Sequence, residues 1–240
     1  MVPREALIRA PFQGPVQGLC TTRLGGVSQA PFDSLNLGAS VGDDANCVRR
    51  NRQRLQQALP GSPCWLEQVH GRGCIHLDDW RPGVQADAAW TDRFGQVAVV
   101  LTADCIPILV AADDGACVAA IHAGWRGLSS GVIENSISSL PVAPGRLSAW
   151  VGPCIRQDRY EVGPEVRGAF ADTPDCFEAG RPGHWWADLA AIAIERLQRL
   201  GLGRIEDCGL CTAAQRHLFF SHRRDGSCGR IASLIWLDPS

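Results

Sequence analysis

The sequence predicts an α+β fold: one layered α/β domain spanning 1–240, with mixed and antiparallel sheets and helices on the outside. Three observations lead there. Runs such as 97–101 and 106–111 are almost continuously apolar, the pattern of strands buried on both faces. The 26 Gly and 15 Pro break the chain at short intervals, as many short strands require. Two stretches, 44–59 and 186–200, carry apolar residues at helical spacing.

In chain order, residues 14–22 read as an opening strand that runs into the glycine-hinged loop R-L-G-G-V-S. The helix over 44–59 places Val48, Leu55 and Leu59 among Arg and Gln and stops at Pro60-Gly61. Strands are expected over 65–69 and 74–77, on either side of His70-Gly71, then over 97–101, 106–111 and 116–121. Residues 131–140 and 186–200 read as helices, the second with Leu189, Ile192, Ala193, Leu197 and Leu200 on one stripe. Strands over 218–221 and 231–237 flank a loop at 222–230.

A formal charge of −2 leaves no broad cationic field, so nucleic acid is not an expected partner. The longest apolar stretch, 97–112, is interrupted by Thr102, Asp104 and Pro107, short of the roughly 18 residues of a membrane span. With no secretory signal pattern at the start, a cytoplasmic location is expected. There the eleven cysteines read as reduced thiols, mostly buried as small hydrophobes. Nothing in the sequence points to a particular oligomeric state.

The chemistry concentrates at three residues that each end a short apolar run: His70 in Q-V-H-G, Cys105 in T-A-D-C-I-P and His122 in H-A-G-W-R-G. Two imidazoles and a thiolate suit Zn²⁺ or copper and leave a fourth position open, as a catalytic metal needs. Their separations of 35 and 17 residues equally allow two satisfied histidines and one buried thiol.

The segments T-T-R-L-G-G-V-S, P-F-D-S-L-N-L-G, V-G-D-D, N-R, Q-V-H-G, A-D-A-A-W-T, T-A-D-C-I-P, H-A-G-W-R-G, G-P-C-I, Y-E-V-G and F-F-S-H-R-R-D occur in this order over nearly the whole chain. On them the chain resembles the YfiH-like family, once labelled multicopper polyphenol oxidoreductase (laccase) and also described as purine nucleoside phosphorylases or peptidoglycan editing factors. The resemblance implies that His70, Cys105 and His122 bind zinc, with copper able to enter the same site. It also implies phosphorolysis of adenosine, inosine, guanosine and methylthioadenosine, with some adenosine deamination. A true laccase is excluded by counting. Its blue-copper centre and trinuclear cluster take on the order of ten His, several as H-x-H pairs, whereas this chain has six His and no H-x-H.

Phosphorolysis needs an anion site beside the ribose. Arg23 before Gly25-Gly26, Arg126 after Trp125, and Arg224 with its neighbours Arg223 and Arg230 are the candidates. Asn36 is a candidate for sugar or base contact, or for an Asx-type turn. Asp87, Asp104 and Glu161 are the carboxylates available in matched segments, with Asp104 expected on a strand and facing away from Cys105. Two functions follow as expectations. One is a zinc enzyme taking a small-molecule nucleoside and phosphate. The other is a thiol hydrolase for peptidoglycan precursor editing, with Cys105 as nucleophile and His122 or His70 as base.

Overall fold

The structure, a computed structural model, describes residues 2–238. Met1, Pro239 and Ser240, which belong to the expected span 1–240, lie outside the described residues.

Two sheets stack face to face. The first runs Leu7–Arg9 (β1), Val16–Thr21 (β2), Ile231–Leu237 (β14), Val97–Thr102 (β6) and Pro63–Cys64 (β3), in that spatial order. The second runs Arg204–Asp207 (β13), Leu147–Val151 (β9), Ile106–Ala112 (β7), Val118–Ala123 (β8), Ala88–Thr91 (β5) and Cys74–His76 (β4). Both are mixed: β3 joins β6, β4 joins β5 and β13 joins β9 in parallel, while the other neighbours are antiparallel. A small antiparallel sheet, Glu161–Val162 (β10), Trp185–Ala187 (β12) and Phe177–Ala179 (β11), lies outside them.

The apolar runs follow from this stacking, because side chains alternate faces along a strand. In β7, Ile108 and Val110 pack outward against the helices Val132–Ser138 and Leu189–Arg199, whereas Leu109 and Ala111 fill the space between the sheets. In β6, Ala98 and Val100 face that same space, and Val97 and Val99 face the layer holding Leu55 of the helix Ala45–Gln56. The order is therefore helix, sheet, sheet, helix, as expected from the sequence.

Three local expectations differ from the structure. The strand near 65–69 is Pro63–Cys64, and the rest is a loop with one bridge, Glu67 to Gln85. Residues 185–187 form a strand before the last long helix, whose start is set by Asp188, its carboxylate accepting from the Ala191 amide. Residues 218–221 make no strand. Phe219 and Phe220 anchor the segment in the core, and Ser221 caps the short helix His222–Asp225.

Candidate metal centre

His122 lies within β8, on the face it shares with Val118 and Ala120 between the sheets, and is 2% exposed. Cys105 immediately precedes β7, which pairs with β8 so that Pro107 sits opposite His122. His70 arrives from the loop after Glu67 with φ 57°. Strand pairing thus closes a gap of 17 residues, and a loop carries the third group in. The ligand atoms of the three residues all lie within 4.8 Å of one another. His70 Nε2 is 4.0 Å from Cys105 Sγ, and the two imidazole rings meet edge to face at 4.8 Å between centroids. Exposure falls across the set from His70 at the surface through Cys105 to His122 in the core.

One buried carboxylate organises two of the three. Asp87, fully buried just before β5, accepts from His122 Nδ1 at 2.8 Å and from the amides of His70 at 2.9 Å, Gly71 at 2.6 Å and Val69 at 3.3 Å. The left-handed backbone of His70, unfavourable for a non-glycine residue, is held by these amide bonds. With Nδ1 committed to Asp87, His122 presents Nε2 to Cys105 and His70, the orientation that metal-binding histidines owe to such partners. In the sequence Asp87 is only one of three available acids. Its link to His122 arises because β5 pairs with β8, bringing Ala88 opposite Ile121.

Asp104 is the second tie. It is not on a strand: its φ of 94° turns the chain into β7. Its carboxylate accepts from Thr212 Oγ1 at 2.6 Å, Ser221 Oγ at 3.0 Å and the Arg223 amide at 2.7 Å, joining the C-terminal segment to the residue before Cys105. Asp104 and His70 are the only non-glycine residues with positive φ among the described residues. One is a candidate ligand and the other adjoins one.

Burial raises the Cys105 thiol, but the charge of His122 and hydrogen bonds from both imidazoles outweigh it and bring the thiol down to about 6. Burial lowers His122, yet Cys105 and Asp87 together hold it up at about 9. Asp87, although buried, is kept below the usual carboxylate range by His122 and the loop amides.

The donors fit a metal. Two imidazole nitrogens and a readily ionised thiol are the set that zinc or copper takes. The space around them admits nothing more from the protein. A Cβ on Gly124 would stand 2.9 Å from His70 Cδ2 and 3.1 Å from Cys105 Sγ. The fit is to one ion. This triplet is the only such group of His, Cys, Asp and Glu among the described residues, so the histidines of a multicopper cluster are not assembled.

The three residues line a cavity of about 660 Å³ that is also lined by Arg52, Trp65, Glu67, Arg230 and the 38–41 loop. Arg230 apart, the candidates for substrate contact lie elsewhere or are otherwise engaged. Arg23 donates to the carbonyls of Asp33 and Arg216 and pairs with the Asp33 carboxylate. Arg224 donates to the carbonyls of Thr212, Ala213 and Phe219 and pairs with Asp225. Neither lines the cavity. Asn36 is fully buried and makes the Asx-type turn, accepting from the amides of Gly38 and Arg230. Arg126 is exposed at the start of the helix Trp125–Ser129, stacked on Trp125, and makes no ion pair among the described residues. Cys154 and Cys211 face each other across an isolated bridge and stay outside the cavity.

Residues 17–238 match the family described as multi-copper polyphenol oxidoreductase laccase. A protein named purine nucleoside phosphorylase from Xylella fastidiosa (strain Temecula1) is 45% identical, with 92% of each chain covered. Purine nucleoside phosphorylase YfiH of Escherichia coli (strain K12) is 43% identical over 92% of this chain and 94% of its own. Among solved structures, Neisseria meningitidis protein NMB0706, of the DUF152 family, superposes with a TM-score of 0.93 at 42% identity, covering 98% of this chain and 100% of that one. The family match, the relatives and the fold agree, and the chain belongs to the YfiH/DUF152 family, the laccase-labelled family of that match.

Proposed function

We propose that the chain is a zinc-dependent purine nucleoside phosphorylase of the cytoplasm that accepts adenosine, inosine, guanosine and methylthioadenosine and also deaminates adenosine. The observation that carries this reading is the single cavity joining the His70–Cys105–His122 triplet to a cationic, aromatic wall. Its volume of about 660 Å³ is in the range of small-molecule sites and admits a nucleoside together with phosphate. The names of the relatives support the same chemistry.

In phosphorolysis a phosphate oxygen bonds to C1′ of the ribose while the C1′–N9 bond breaks. The electron pair leaves with the purine, which takes a proton from solvent, and ribose 1-phosphate and free base result. Zinc bound by the triplet supplies Lewis acidity for polarising a substrate oxygen or nitrogen. The chain's own residues set the stage for it. Asp87 fixes the ring of His122 and the backbone of His70, and Asp104 fixes the turn that aims Cys105. The test is base release from inosine by the purified protein with and without phosphate and chelator. Stoichiometric zinc with phosphate-dependent release supports the reading, and release indifferent to both refutes it.

The lowered Cys105 thiol favours a second reading, a cysteine-dependent hydrolase acting on a peptidoglycan precursor. Cys105 is then the nucleophile, with His70 Nε2 at 4.0 Å or the Asp87-oriented His122 as the base. Metal-free protein that cleaves a peptide-type substrate and is inactivated by alkylation at Cys105 would establish this second reading.

A further inference from the structure

Two cationic side chains in the cavity form no ion pair among the described residues. Arg52 comes from the middle of the helix Ala45–Gln56 and Arg230 from the residue before β14, and both are half-buried. They converge on one short segment. Arg52 Nε and Nη2 donate to the Leu37 carbonyl at 3.0 and 2.8 Å, and the Leu37 amide donates to the Arg230 carbonyl at 3.1 Å. Arg230 passes so close beneath Gly38 that a Cβ there would stand 2.7 Å from its Cγ. The Arg52 guanidinium lies 3.9 Å over the Trp65 ring, which holds its plane in place.

Neither arginine forms a salt bridge among the described residues, whereas Arg23, Arg156, Arg196 and Arg224 each pair with a carboxylate. All the partners recorded for the two guanidinium groups are carbonyl oxygens and the Cys228 sulfur. Arg52 Nη1 and Arg230 Nε and Nη2 donate to no protein acceptor among the described residues. Burial also lowers the Arg52 guanidinium to about 10, and no carboxylate lies within ion-pair distance of it among the described residues, although Glu67 lines the same cavity. Taking charge out of water is costly unless an opposite charge meets it. Two such cations on one wall of a cavity make a site for an oxyanion that binds and leaves. The planar guanidinium fork suits phosphate oxygens. The same wall holds the 38–41 loop, where the amides of Ala39, Ser40 and Val41 donate to no protein acceptor among the described residues. The metal triplet lines the same cavity, whose volume leaves room for a nucleoside beside the phosphate.

We infer that Arg52, which spacing does not suggest, and Arg230, one of the sequence candidates, bind the phosphate co-substrate in place of Arg23, Arg126 and Arg224. The inference rests on the phosphorylase reading. The attacking phosphate oxygen then comes from the Arg52–Arg230 wall, while the nucleoside lies toward His70, Cys105 and His122.

The test uses the zinc-loaded full-length protein and inorganic phosphate, with affinity measured by calorimetry and activity by release of hypoxanthine from inosine. R230Q and the charge-keeping R52K should each weaken phosphate binding at least about tenfold. Each should raise the KM for phosphate more than the KM for inosine, with zinc content unchanged. R126Q should bind phosphate as the unaltered protein does. In the unaltered protein, phosphate should protect Arg52 and Arg230, and not Arg126, from phenylglyoxal, a readout that needs no substitution. If phosphate binds and supports base release but protection and loss of affinity follow Arg126 or Arg223, the inference is overturned and the phosphorylase reading stands. If the unaltered protein neither binds phosphate nor requires it for base release, both are overturned.

Discussion

Replacing Asp87 with Asn keeps the shape of the side chain and removes its charge, which makes the role of this carboxylate measurable. Asp87 Oδ1 accepts from the His70 amide and His122 Nδ1, and Oδ2 accepts from the amides of Gly71 and Val69. An asparagine has one acceptor oxygen, so its NH₂ must face one of these donor pairs. Facing Gly71 and Val69, it opposes two amides and releases the left-handed turn at His70. Facing His70 and His122, it drives the proton of His122 to Nε2, the atom that points at Cys105. Either arrangement damages the triplet without touching a candidate ligand. Each hydrogen bond to a charged acceptor contributes about 1.5–3 kcal/mol. With two donors left opposed, the unfolding free energy should fall by about 3–6 kcal/mol. Loss of a residue that orients a metal-bound histidine lowers metal affinity about 10–100-fold. The assays are urea unfolding of the metal-free chain and zinc competition against a chromophoric chelator. Zinc affinity within about twofold of the unaltered protein, with stability changed by under ~0.5 kcal/mol, would refute the claim that Asp87 assembles the site.

Four further outcomes are expected. H70A, C105A and H122A should each abolish stoichiometric zinc and inosine cleavage together while keeping the far-ultraviolet circular dichroism spectrum; activity that outlives the metal would contradict the zinc reading. G124A should expel the metal, because its methyl group would crowd His70 and Cys105, and a fully loaded G124A would show that the cradle yields. In metal-free protein the thiolate absorbance of Cys105 should appear with a midpoint near 6, far below the usual 9. Because the folded thiol is depressed, its contribution to stability is lost as pH falls through about 6, and above about 9 deprotonation of His122 removes its partner. Unfolding of the metal-free chain followed from pH 7 to pH 5 should show this decline, and C105A should flatten it. D104A removes the acceptor of Thr212, Ser221 and the Arg223 amide and should cost about 3 kcal/mol or more in thermal or urea unfolding; a D104A protein as stable as the parent would show that water replaces the carboxylate.

Local pattern was enough to read the layers. Strands buried on both faces are continuously apolar whatever they pair with, so β6, β7, β8 and β14 stand out in the sequence. The triplet stands out by residue type, but its spacing equally allows two satisfied histidines and a buried thiol, and it is the family resemblance that implies a metal. Weaker segments gave way to long-range contacts: 218–221 has strand composition but is held by its buried phenylalanines and the Ser221 cap. Sequence alone thus determined the layered α/β fold and which residues offer themselves to a metal. Tertiary structure decided that Asp87, 35 residues from His122, would orient its ring, because β5 and β8 must pair before carboxylate and imidazole meet. It also decided which arginines are satisfied and which are not. Arg23 and Arg224 are spent on backbone carbonyls and on the carboxylates of Asp33 and Asp225, while Arg52 and Arg230 reach the cavity with no ion pair among the described residues. Whether a charge is paired depends on neighbours that only the folded chain supplies, and no spacing along the sequence encodes it.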